Sequence, residues 1–308
     1  MTAATVAFEI LLLALVGYFM EKTRMVGEYF YKDLAKFISN IVLPCLILDS
    51  MQMDFSLEEL KNCGYLMLLS AMFVAAGFLV GTLCWRLFGK SHRGRILRGG
   101  CMFTNWANMG IPVMQALYGD EATFHLLIFI VIPRIVLYTA TPYLYGEERT
   151  RNPERKRFGW VTPPLVAVPL GLLLYVTGWR LPGAVGTVVG WIGGMMSPLG
   201  MILCGLALAK YPLKSLLHAF NAVGTALRLL VMPAVMLGVC RLIGVSPELT
   251  IPVVMCTAFP VASLTLTYIT RYEKETIAHS EGAGLVFLST LLSVATIPLW
   301  YWILSLPA

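Results

Sequence analysis

Arg98–Gly119 reads RGGCMFTNWANMGIPVMQALYG. The stretch is apolar enough for a membrane, yet Thr104, Asn105, Asn108, Gly110 and Pro112 crowd helix-weakening residues into its middle. In lipid every backbone N–H and C=O needs a partner, so an interrupted span survives only against protein or a watery cavity. Transporters build binding sites from such interruptions.

The rest of the chain has the same solvent preference. Of 308 residues, 58% are hydrophobic and 13% charged, with a mean hydropathy of +0.75; soluble domains carry about 25% charged residues. The composition implies an all-α integral membrane protein. Its net charge of +6 fits cytoplasmic loops of a membrane protein, and nucleic acid is excluded as a partner. The seven cysteines lie mostly inside apolar runs without a C-x-x-C, so no disulfide framework or metal site is expected. The N-terminal run MTAATVAFEILLLALVGYFMEKTR carries its charges after the apolar part and reads as a retained first helix.

A span needs about 20 mainly apolar residues. By that measure ten segments are expected, near 4–20, 35–53, 65–88, 98–118, 123–145, 161–179, 184–209, 215–243, 249–269 and 281–305. The charged stretch GEERTRNPERKRFG divides them five and five. Residues 1–145 then form a first five-helix repeat, 146–160 a cytoplasmic linker and 161–308 a second repeat. Eighteen of the 23 basic residues fall in linkers after odd-numbered spans, against Lys61, Arg180 and Arg241 after even-numbered ones. Basic residues favour the cytoplasm, so both termini are expected outside and Glu147–Arg157 inside.

Five spans is an odd number, so two related halves lie inverted in the membrane. Span two reads NIVLPCLILDSM around Pro44 and span seven GGMMSPLGMILCGLAL around Pro198; span four centres on Pro112 and span nine, TAFPVASLTLTYIT, on Pro260. The separations, 154 and 148 residues, approximate one repeat. Proline frees backbone groups around it. Spans four and nine are therefore expected to be broken and to cross near the membrane centre, where half-helix N-termini suit an anion and freed carbonyls a cation.

Asn105 and Asn108 share a helical face and offer donors and acceptors. Span nine offers Thr257, Ser263 and Thr265, which also bond their own backbones readily. Ionisable residues within spans are Glu9, Asp49, Arg134 and Arg228, with His125 and His218 nearer the ends; charge in a membrane is a functional candidate. Arg134 and Arg228, near mid-span, either pair structurally or attract an organic anion. Glu9 and Asp49 fall in the outer third. The chain lacks H-E-x-x-H, G-x-S-x-G and a Walker loop, so an enzyme or ATP-driven pump is not expected.

Phe103–Gly119, Asn40–Met51, Pro163–Pro182 (PPLVAVPLGLLLYVTGWRLP), Arg228–Val235 (RLLVMPAV) and Thr257–Tyr268 together resemble the auxin efflux carrier family. The similarity is to its bacterial branch, often labelled malate or malonate permeases, where the central loop is short. The resemblance implies scaffold and transport domains, each built from both repeats, and crossing helices four and nine as in sodium/bile-acid symporters. It also implies elevator-type alternating access and a homodimer. Under it Asn108 or Asn105 with Pro112 line the site on helix four, and Pro260 is its partner on helix nine. Asp49 and Ser50 become support-site candidates. Helix nine has no asparagine matching Asn105 or Asn108.

The combined reading is a secondary carrier of a small organic anion such as a dicarboxylate or auxin-like acid, in the plasma membrane. Its substrate-binding candidates are Asn105, Asn108, Gly110, Pro112, Thr257, Pro260, Ser263, Arg134, Arg228, Asp49 and Ser50. No cofactor is expected, and coupling to protons or sodium stays open. The alternatives are a cation/proton antiporter on the same scaffold, which needs a titrating carboxylate near the prolines, and a non-transporting membrane sensor, which would carry a signalling domain.

Overall fold

The computed structural model describes residues 3–52, 54, 56–88, 91–145, 163–209, 218–262, 265, 266, 269 and 276–306. All regular structure among them is helical: α1 (Ala3–Lys22), α2 (Phe30–Phe37), α3 (Leu43–Ser50), α4 (Leu57–Leu87), α5 (His92–Met102), α6 (Ile111–Phe129), α7 (Val131–Tyr145), α8 (Pro163–Thr177), α9 (Gly183–Gly194), α10 (Met196–Ala209), α11 (Ala219–Ala226), α12 (Met232–Leu242), α13 (Pro247–Ala258) and α14 (Thr276–Ser305). Among the described residues, Leu60–Leu87, Gly183–Leu206, Ala219–Leu242 and Ile277–Ser305 are long and apolar enough to cross a membrane. Their outward leucines and tryptophans, such as Leu79, Leu83, Trp191 and Trp302, suit lipid, where burial of apolar surface gives helices no reason to associate.

Among the described residues, three five-residue π turns interrupt the helices: Ile38–Val42, Trp106–Gly110 and Leu227–Val231. Each stands just before a helix with proline second, Pro44, Pro112 and Pro233. The wider turn makes room for a ring that would otherwise meet the carbonyl one turn back. Span four is therefore not broken at Pro112, where the sequence places its break. The helix runs on from the π turn through Pro112, and the backbone opens earlier, at Phe103–Asn105. A second interruption falls at Gly119, whose φ of 79° suits a residue without Cβ.

The chain divides into two compact units, each drawing on both sides of the charged linker. Unit one comprises Met1–Leu66, Ala107–Val131 and Arg157–Lys210. Its α1 and α10 lie backbone to backbone: a Cβ on Gly17 would strike the Ile202 carbonyl, and one on Gly205 the Ala14 carbonyl. Small residues allow this close packing, which supplies the dispersion that hydrophobic burial cannot supply in lipid. At one end the α3–α4 connection is tied to the α8–α9 turn. Tyr175 Oη accepts from Ser56 N (3.0 Å), Leu181 N donates to Gln52 Oε1 (2.9 Å), and Arg180 pairs with Asp54.

Unit two comprises Met67–Trp106, Ile132–Lys156 and Tyr211–Ala308. Here α4 and α5 form an antiparallel hairpin in which Gly77 faces Cys101, Gly81 faces Arg98 and Gly94 faces Trp85. The Arg98 guanidinium covers Trp85 and Phe78, at 4.6 and 5.5 Å from the ring centres, which holds a cation against apolar surface. Glu281, on α14 and buried, accepts from Arg93 Nε and Nη2 (2.8 and 2.7 Å) and lies 3.0 Å from His92 Nε2. That cluster joins α5 to α14.

Candidate functional site

α5 ends at Met102 because the chain turns extended at Phe103 (φ −118°, ψ 126°), and α13 ends at Ala258 with Phe259 likewise extended (φ −75°, ψ 156°). The two open segments pair antiparallel. Thr104 faces Val261, flanked by bonds from Asn105 N to the Pro260 carbonyl (2.8 Å) and from Ala262 N to the Phe103 carbonyl (3.1 Å). Thr104 and Val261 are β-branched and Phe103 aromatic, types that suit extended backbone. Proline at 260 leaves only its carbonyl to offer, and that carbonyl is used.

Arg228, in the π turn between α11 and α12, reaches this pairing. It is 0% exposed. Nε donates to the Phe259 carbonyl (2.9 Å), Nη1 to the Cys101 carbonyl (2.9 Å), and Nη2 to the Thr257 carbonyl (2.7 Å) and to Thr104 Oγ1. Phe73 lies against the guanidinium, 5.4 Å away. Trp106 Nε1 donates to the Cys256 carbonyl (2.8 Å), Val261 N to Ser289 Oγ (3.2 Å) and Trp300 Nε1 to the Leu229 carbonyl (2.7 Å). Buried backbone groups at helix ends must find partners, and here side chains of α4, α11–α12 and α14 supply or shield them. The carbonyls freed at the breaks are thus engaged internally.

Of the sequence candidates, the crossing brings together Asn105, Thr257, Pro260 and Arg228, all buried. The Thr257 hydroxyl donates to its own helix at Val254 (2.7 Å), while its carbonyl serves Arg228. Asn108 lies in the π turn that starts at Trp106; Gly110 closes that turn and Pro112 follows in α6, the last three positions belonging to unit one. Ser263 lies outside the described residues. Arg134 is half-buried on α7 of unit two. Asp49 and Ser50 sit on α3 of unit one: Asp49 is exposed beside Gly190 of α9, and the buried Ser50 hydroxyl donates to Ile47 O (3.1 Å). Glu9 is exposed.

Sequence reasoning missed Thr104 as a ligand of arginine, the indole of Trp106 and the Glu281 cluster. Glu281 looked like a flank of span ten, whereas α14 begins at Thr276 and carries it inside.

The chain matches the family model described as "Membrane transport protein" over residues 2–301. It is similar to an uncharacterized transporter of Methanothermobacter thermautotrophicus, with 26% identity over 312 residues, covering 97% of this chain and 98% of the relative. It is equally similar to the uncharacterized transporter MJ1031 of Methanocaldococcus jannaschii, at 26% identity over 309 residues and 96% of each chain. A helical chain with membrane-length apolar spans and this end-to-end match belongs to the membrane transport protein family of auxin efflux carriers.

Proposed function

We propose that this transporter moves a small organic anion, of the carboxylate class, past the crossing of its fourth and ninth spans. The observation that carries this reading is that Arg228 offsets the negative helix ends at the crossing and so leaves the positive N-terminal end unopposed. Arg228 is a fully buried cation at the crossing, and the described carboxylates of the same unit lie elsewhere: Glu248 is exposed and Glu281 is bound to Arg93 and His92. Arg228 meets the C-terminal, negative ends of α5 and α13. The N-terminal end at Trp106 then contributes positive potential, beside the buried amide of Asn105. A carboxylate, not a metal cation, suits such a place.

Ten spans in two inverted repeats are supported by two ties. The connections after spans two and six meet through Gln52, Asp54 and Ser56, and those flanking spans four and ten meet through Arg93 and Glu281. Unit one, with spans one, two, six and seven and the Ala107–Val131 segment, takes the scaffold role and pairs as a homodimer. Unit two takes the moving role of an elevator, in the plasma membrane with both termini outside. The five-plus-five ancestry at 1–145 and 161–308 belongs to the same proposal.

A thermal-shift screen of the purified protein with dicarboxylates, indole acids and amino acids tests the substrate class. A ligand at 100 times its Kd stabilises the folded state by about 2.7 kcal/mol. At least one organic anion is expected to raise the midpoint; shifts from cations and none from anions would favour the antiporter.

A further inference from the structure

The oxygens around Arg228 have a distinctive origin. The Cys101 and Thr257 carbonyls belong to the last turns of α5 and α13, the Phe259 carbonyl follows α13 directly, and Thr104 Oγ1 comes from the extended segment after α5. Three carbonyls and a hydroxyl, drawn from two interrupted helices, are the donor set with which membrane transporters hold a monovalent metal ion. Carbonyl and hydroxyl oxygens suit hard cations.

The charge agrees with the donor set. Each helix C-terminus carries about half an elementary negative charge, so two such ends together offer about one. A single guanidinium matches that, and it stays protonated throughout the physiological range. Its planar fork reaches oxygens on both helices at once, and Phe73 covers it. The seat lies in one unit, and every contact named belongs to residues of that unit.

We propose that Arg228 is a tethered cation: it fills the seat that the ends of α5 and α13 would otherwise offer to a free monovalent metal ion, so the crossing assembles without sodium or potassium. The proposal goes beyond the substrate reading and holds whichever solute is carried. Any coupling ion must therefore bind away from these four oxygens.

Chemical rescue tests it. Thermal midpoints of the full chain in detergent are compared in choline, sodium and potassium chloride at equal ionic strength, with and without millimolar guanidinium. Wild type is expected to melt at the same temperature in all three salts. Arg228→Ala is expected to melt lower in choline and to recover at least half of that loss when guanidinium enters the vacated seat. A folded Arg228→Ala protein that guanidinium does not restore overturns the proposal. Arg228→Gln, which keeps one amide donor, undergoes the same test should the alanine variant fail to fold. The wild-type series is read beside Thr104→Ala, which removes one oxygen of the seat: a rise of several degrees in sodium or potassium that this variant abolishes places the ion on these oxygens and overturns the proposal, whereas equal midpoints, or a rise that Thr104→Ala keeps, support it. Neither result depends on finding an organic anion, so this test and the substrate screen fail separately.

Discussion

Arg228→Met lowers the thermal midpoint more than any other single truncation in unit two. The methionine fills much of the volume but leaves the Cys101, Thr257 and Phe259 carbonyls and the Thr104 hydroxyl without their donor. A buried polar group deprived of its partner costs about 1–3 kcal/mol, and breaking a buried charged network costs about 3–5 kcal/mol in measured cases. Relaxation of the extended segments offsets part of the sum, so the lower figures apply to each oxygen. At about 2–4 °C per kcal/mol for sizeable domains, the midpoint falls by roughly 10 °C. Arg228→Lys falls by about half as much, because an ammonium keeps the charge but has three donors and no fork. Melting monitored by tryptophan fluorescence in detergent reads both. A methionine variant that melts like wild type would show that Arg228 holds nothing together.

Gly205→Val is expected to disrupt unit one as severely. Its Cβ would run into the Ala14 carbonyl and lie 2.8 Å from Tyr18 N. These neighbours are backbone, which cannot rotate aside, so α1 must move off α10 along their whole contact. Overpacking a tight core costs about 1–3 kcal/mol where side chains can adjust, and here the loss is larger because helix contacts go with it. Gly64→Ala is the control: its Cβ meets nothing within 4 Å, and alanine favours helix over glycine by about 1 kcal/mol. The expected order of midpoints is Gly64→Ala at or above wild type and Gly205→Val far below. Equal midpoints for the two variants would contradict the backbone contact of α1 with α10.

Those two sites differ in how far the sequence announced them. Uninterrupted hydropathy makes α4 and α14 legible, since a long apolar run has only helix available in lipid. The weakness of span four is legible too, but its location is not. Pro112 draws the eye, yet the π turn before it accommodates its ring and the helix runs on. The opening falls at Phe103–Asn105, where the bonds from Asn105 N and to the Phe103 carbonyl exist because Pro260–Ala262 lie alongside. That pairing joins residues more than 150 positions apart. Nothing local to either segment encodes it.

Arg228 shows the same boundary. Its mid-span charge marks it for notice, while the choice between anion ligand and structural clamp depends on acceptors from two other helices. Glu281 was legible as an acid but not as a buried one, because the start of α14 at Thr276 sets its depth. The glycines at 17 and 205 carry no local signal either, as each matters only through the backbone of a distant helix.

Transport past the crossing is tested most directly by uptake into proteoliposomes of the organic anion that gives the largest thermal shift, with wild type compared against Asn105→Ala. Asn105 is buried and its backbone N–H closes the pairing with Pro260, so the alanine variant keeps that bond and loses only the side-chain amide. The account predicts uptake by wild type above protein-free vesicles. It also predicts a loss of roughly tenfold in the variant, about 1.4 kcal/mol of lost recognition. Uptake by a folded Asn105→Ala protein at the wild-type rate would contradict it.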